Sequence, residues 1–200
     1  MSQLDPIPYP DAQLRAILER VKTIAMVGAS SNWNRPSYFV MKYLQGKGYR
    51  VIPINPGIAG QELLGERVYA SLRDIPGELA EQIDMVDVFR PSAETPQVVD
   101  DAIAIGAPVV WMQLGVRNDE AAKLAEEAGL KVVMNRCPKI EYGRLSSEIA
   151  WMGVNTRTLS SKKAQLSGRG IQRMSLNRTT LAGAATEAAT RAEAVDKDSP

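Results

Sequence analysis

The chain has 200 residues, 44% of them apolar and 24% charged, with a formal net charge of +1, a balance that suits one globular domain with a real core. Histidine is absent and Cys137 is the only cysteine, which excludes Ser-His-Asp and Cys-His catalysis, a phosphohistidine, an intramolecular disulfide and nearly every ordinary zinc site. Bulk charge this close to zero gives no polyanion-binding surface, so any phosphate recognition has to come from local geometry.

Residues 1–10 carry Asp5 and three prolines in place of a charged-then-apolar leader, and no apolar run reaches bilayer-spanning length. A cytoplasmic protein without membrane contact is expected. Leu14, Ile17, Leu18 and Val21 recur at helical spacing after Asp11, predicting a leading helix that packs on a sheet. Strand-like apolar runs follow at 23–27, 50–54, 85–89, 108–114 and 131–134. Between the first two, Pro36 suits a first helical turn, Val40, Met41 and Leu44 form its inward stripe, and Gly46 or Gly48 ends it. Residues 62–69 suggest a short edge strand inside the second crossover. Val98, Val99, Ala102 and Ile103 stop at Gly106, and Ala121, Leu124, Ala125 and Ala128 stop at Gly129, which reads as two further crossover helices.

This alternation predicts an α/β fold: a Rossmann-like open parallel sheet of five or six strands with helices on both faces. The domain is expected to span residues 10–150. From 154 to 200 the composition turns to Ser, Thr, Arg, Gly and then Ala, with eight cations against four acids and few large apolar residues. That stretch predicts a basic, then Ala-rich, largely disordered tail. No aromatic residue follows Trp151, so the base-stacking expected of a nucleic-acid binder is unsupported and nucleic acid is not an expected partner.

The first predicted strand runs into Gly28, Ala29, Ser30 and Ser31, and Asn34, Arg35, Pro36 and Ser37 lead into the helix. A glycine that permits a sharp turn, small residues that let backbone N–H groups approach, a helix N-terminus and a nearby guanidinium suit a phosphate. The position at the carboxyl end of strand one is where open α/β sheets bind ligands. A dinucleotide fingerprint would need glycine at Ser30 and Trp33 and an acid where Asn55 and Pro56 close the second strand. An NAD-binding or other nucleotide-dependent redox regulator is therefore the disfavoured alternative. At the third strand end Arg90 offers bidentate phosphate pairing beside Phe89 and Pro91. Gln113 offers an amide, Trp111 is expected to be packing, and Cys137 lies after the last strand with Arg136 expected to lower its pKa. Asp84, Asp87, Asp100 and Asp101 read as solvated residues, and no metal site or catalytic set is expected.

The runs 27–31, 35–37, 52–56, 89–92 and 135–139 resemble the stand-alone bacterial CoA-binding proteins, small relatives of the CoA-binding domain of the succinyl-CoA synthetase alpha subunit. The resemblance extends from about Ile24 to Leu145. It implies that coenzyme A or an acyl-CoA is the ligand, with the first loop on the CoA phosphates, Asn55 and Pro56 beside the nucleotide, and residues 89–91 enclosing it. The larger relatives carry a phosphohistidine and a nucleotide-grasping domain, neither of which this sequence has. The expectation is a non-catalytic sensor or accessory module that takes up a small nucleotide thioester, with a protein partner or a homodimer left open. An acyl-CoA-processing enzyme acting with a partner is the remaining alternative. A lone cysteine such as Cys137 is more often a small buried hydrophobe; the alternative left open is that its thiol meets the pantetheine end and forms a mixed disulfide under oxidation.

Overall fold

Helix α1 (Asp11–Arg20) carries Leu14, Ile17 and Leu18 buried on one face and leads through Val21 into β1 (Thr23–Val27). The computed structural model describes residues 7–146, so the expected tail over 154–200 lies outside the described residues. Helix α2 (Pro36–Gly46) starts with proline at its first position, where a missing N–H costs nothing. Lys47 closes it, and Gly48, at φ +90°, turns the chain into β2 (Arg50–Ile54).

The segment expected as one edge strand is a hairpin instead. Strands β3 (Glu62–Leu63) and β4 (Glu66–Arg67) pair antiparallel around Leu64 and Gly65, both at positive φ. Tyr69 alone continues as a parallel bridge to Ile54. An edge strand would need a longer run of residues able to pair, and the Leu64–Gly65 turn folds this one back on itself.

A short helix, α3 (Gly77–Ala80), precedes β5 (Met85–Val88). Then come α4 (Thr95–Ala104), β6 (Val109–Met112), α5 (Asp119–Glu127), β7 (Lys131–Val133) and α6 (Pro138–Leu145). The sheet is five-stranded and wholly parallel, in the order β2-β1-β5-β6-β7. Its three inner strands are buried save for Val27 at the carboxyl end of β1, as a sheet covered on both faces requires. One apolar cluster joins Ile24, Met26 and Trp111 to α1 and α2, with Leu145 of α6; the other joins Ala25, Val86 and Val110 to α4 and α5.

Helix α6 was not expected from the sequence, because its apolar stripe is weak. Its readable signals were Pro138 at the first turn and Arg144 in the last. Arg144 reaches Asp11 and Glu141, both at 2.7 Å, and ties α6 to α1. That guanidinium also holds Asp11 below the usual carboxylate range. Counting the sheet strands alone, the order is 2-1-3-4-5, and chain direction across the sheet reverses between β1 and β5. The crevice over their carboxyl ends is the switch point at which such sheets hold ligands.

Candidate functional site

The β1–α2 loop is built around one glycine. Gly28 has φ +91°, and a Cβ there would lie 2.8 Å from the Phe89 carbonyl oxygen and 3.0 Å from Arg90 Cδ. Any side chain would push the loop off the end of β5. The amides of Gly28 and Ala29 both donate to the Ile54 carbonyl, at 2.9 and 3.3 Å, which extends the β1–β2 pairing by one step. These two residues therefore shape the turn and do not offer their own N–H groups. The next two amides, of Ser30 and Ser31, make no hydrogen bond among the described residues. Ser30 Oγ accepts from Asn32 N at 3.2 Å, Asn32 Oδ1 accepts from Asn34 N at 3.0 Å, and Arg35 N donates to the Asn32 carbonyl. Asn34 belongs to the scaffold of this loop through its backbone.

Arg35 stands exposed at the N-cap of α2, and Ser37 is buried in its first turn. Asn55 braces the loop from the β2 side. Its Nδ2 donates to the Ala29 carbonyl at 2.6 Å and its Oδ1 accepts from Gly57 N at 2.8 Å, capping a short 3-10 turn that begins at Pro56. Each end of that amide makes one hydrogen bond to the protein, and no carboxylate stands at the end of β2 to hold a ribose in the way a dinucleotide site requires.

A hollow of about 160 Å³ opens on the α4 side of these strand ends, lined among others by Val27, Gly28, Ile54, Pro56, Arg90 and Val98. The structure so brings together residues from all three strand ends singled out in the sequence. Phe89 is half-buried against the α1/α2/α6 cluster, and Pro91 is exposed. Arg90 Nε donates to Glu94 Oε2 at 2.7 Å, one turn on, with the arginine side chain 39% exposed. A surface pair of this kind is weak and exchangeable, so an incoming phosphate competes with it on favourable terms.

Trp33 is 71% exposed and stands clear of that hollow, while Trp111 is fully buried and donates from Nε1 to the Arg136 carbonyl at 2.9 Å. Gln113 and Cys137 lie farther along the same edge, beyond the ends of β6 and β7, and do not line the hollow. Cys137 is buried, and desolvation pushes its thiol up. Arg136 does not lower it as expected, because its guanidinium turns away, donating to the Ile7 carbonyl at 2.9 Å and facing the Tyr9 ring and Glu141.

The reading of the strand acids also needs correction. Asp84 Oδ2 accepts from the amides of Lys22 and Thr23 at 2.7 and 2.9 Å, clamping the start of β1. Asp87 is fully buried in the central strand, where desolvation pushes it up to about 8 against the opposing hydrogen bond from Gln113. An acid flanked by Val86 and Val88 looks like the outward residue of an alternating strand. In a sheet covered on both faces there is no outward side. Among the described residues no cluster of acids, thiol and imidazole suited to a metal occurs, and no helix is long and apolar enough to cross a membrane.

The loop, the switch point and the flanking arginines form a crevice at the carboxyl edge of a Rossmann-like domain. The chain belongs to the family described as CoA binding domain, whose model matches residues 22–143. It is 40% identical over 131 residues to the uncharacterized protein YneT of Bacillus subtilis, covering 66% of this chain and 93% of that one. It is 28% identical over 113 residues to the alpha subunit of an ADP-forming acetate–CoA ligase from Pyrococcus furiosus, where the match spans 24% of the subunit. Among solved structures it is similar to a hypothetical protein from Pyrococcus horikoshii, with 44% identity, a TM-score of 0.65, and 73% of this chain and 99% of that one covered. A Thermus thermophilus structure shares 42% identity at a TM-score of 0.64, covering 68% and 99%.

Proposed function

We propose that this protein binds coenzyme A or an acyl-CoA across the carboxyl ends of β1, β2 and β5, and acts in the cytoplasm as a non-catalytic sensor or accessory module. The observation that carries the reading is the loop at 28–31. Gly28 is locked against residues 89 and 90, and the unpaired Ser30 and Ser31 amides sit at the mouth of α2 beside Arg35. This arrangement fits a diphosphate: two backbone donors, the positive end of a helix dipole, and Arg35 and Arg90 to either side. Pro56 supplies an apolar wall, and the family match supports CoA over other nucleotides. On this reading residues 10–150 form the binding unit and the segment 154–200 is accessory.

Isothermal titration with CoA tests it. Wild-type protein is expected to bind, and the Arg35→Ala, Arg90→Ala double variant to bind on the order of 100-fold more weakly, since each charge-assisted bond contributes about 1.5–3 kcal/mol. Absence of both heat and thermal shift with CoA, dephospho-CoA and acetyl-CoA overturns the reading. A second reading, processing of an acyl-CoA alongside a partner, is favoured by the likeness to a ligase subunit. It predicts thiol release from acetyl-CoA only when that partner is added.

A further inference from the structure

Asp87 lies mid-strand on β5 with none of its surface exposed, between Met26 of β1 and Trp111 of β6 in the parallel register. Both carboxyl oxygens accept from a single donor, Gln113 Nε2, at 2.9 and 3.1 Å. The groups that face the acid are Met26 from β1, Trp111 from β6, Gln113 just after β6, and the Cys137 thiol from the turn into α6. The thiol is the titratable one among them, with Lys139 acting on the thiol and no cation acting on Asp87 among the described residues. The far end of the Gln113 amide is different. Among the described residues the one sealed side-chain polar atom without a partner is Thr95 Oγ1. Gln113 Oε1 accepts no hydrogen bond among the described residues and is not sealed, so it keeps some accessible surface just beyond the carboxyl end of β6, although its residue is only 5% exposed.

We propose that Asp87 and Gln113 form a proton-linked reader that distinguishes the free thiol of CoA from an acyl thioester. The inference rests on the CoA reading given above. As a carboxylate Asp87 only accepts, which holds Gln113 Nε2 inward and leaves Oε1 outward as an acceptor for a thiol S–H. As a neutral acid Asp87 also donates. The amide then turns over, Oε1 accepts from the acid, and Nε2 faces outward as a donor to a thioester carbonyl. Reach is sufficient: β6 lies two strand spacings, about 10 Å, from β1. The pantoate, β-alanine and cysteamine units of the ligand arm span roughly the same distance when extended as three residues. Burial brings the exchange near neutral pH, because Asp87 is pushed up to about 8.

The test is titration of the full chain with CoA and with acetyl-CoA between about pH 6 and pH 8, below the ordinary thiol pKa of about 8.5, so that the CoA thiol stays protonated. Nucleotide and phosphates are common to both ligands, so their own titration cancels in the ratio of the two dissociation constants. The ratio of acetyl-CoA to CoA Kd is expected to rise with pH by about fivefold, the worth of one hydrogen bond, and Asp87→Asn to flatten it. As a readout independent of how that variant folds, the Asp87 carboxyl is also followed by carbon NMR in the wild-type protein. CoA is expected to lower its midpoint and acetyl-CoA to raise it. A flat wild-type ratio, a pH dependence retained in Asp87→Asn, or a midpoint that neither ligand moves overturns the reader. Wild-type protein that takes up neither ligand breaks the CoA reading itself, whereas uptake of both with a flat ratio breaks the reader alone.

Discussion

The two ends of the sheet differ in a way that volume does not capture. At the amino end, between α1, the turn before β2 and the end of α6, lies a hollow of about 320 Å³, twice the size of the one at the carboxyl end. Its polar groups serve the fold: Tyr49 donates to the Leu18 carbonyl at 2.8 Å, Arg15 to the Leu145 carbonyl at 2.8 Å, and Lys22 to the Glu19 carbonyl at 3.3 Å. The smaller hollow at the carboxyl end is lined by Gly28, the residue that opens the β1–α2 loop, and that same loop carries two unspent amides and leads into the N-terminus of α2. Recognition follows the groups still owed a hydrogen bond, and in a parallel sheet the crossover helices aim their N-termini at the carboxyl end.

Variants that move one end and spare the other sharpen that contrast. The largest effect belongs to Asp87. Its folded pKa is raised from 3.8 to about 8, so the unfolded chain releases this proton first as pH rises. Its contribution is complete below about pH 4 and is lost toward pH 8, on the order of 5 kcal/mol across the window. Urea midpoints measured at several pH values should show this decline in the wild type and a flatter profile in Asp87→Asn. Next comes the double arginine variant, about 3 kcal/mol of CoA affinity at the carboxyl end, against no change for Lys22→Ala at the other; equal losses from both would erase the distinction between the ends.

Gly28→Ala should cost about 2 kcal/mol of stability through its φ of +91°. It should also weaken CoA binding, because the side chain meets the Phe89 carbonyl. Calorimetry and thermal unfolding on one preparation read both. The smallest effect is Tyr49→Phe, which removes one buried hydrogen bond for about 1 kcal/mol and should leave CoA affinity unchanged. A shift in Kd there would mean that the amino end communicates with the site.

The sequence by itself determined the five sheet strands with helices α1, α2, α4 and α5, the parallel α/β class and the glycine-centred loop after β1, while α3, α6 and the 62–69 hairpin escaped it. Apolar runs, helical spacing and the glycine and proline positions are local properties that pairing does not alter. Residues 62–69 came out as a hairpin because the positive φ at Leu64, a residue with no turn signature of its own, is set by its surroundings. Only the tertiary structure decided which amides remain free. Gly28 and Ala29 spend theirs on Ile54 of the neighbouring strand, a partner far along the chain, so the open donors fall at Ser30 and Ser31. It also decided the state of Asp87, since a strand acid is solvated or buried according to whether a second layer covers its face. Burial and hydrogen-bond satisfaction depend on neighbours distant in sequence, and those exist only once the sheet has closed between its two layers of helices.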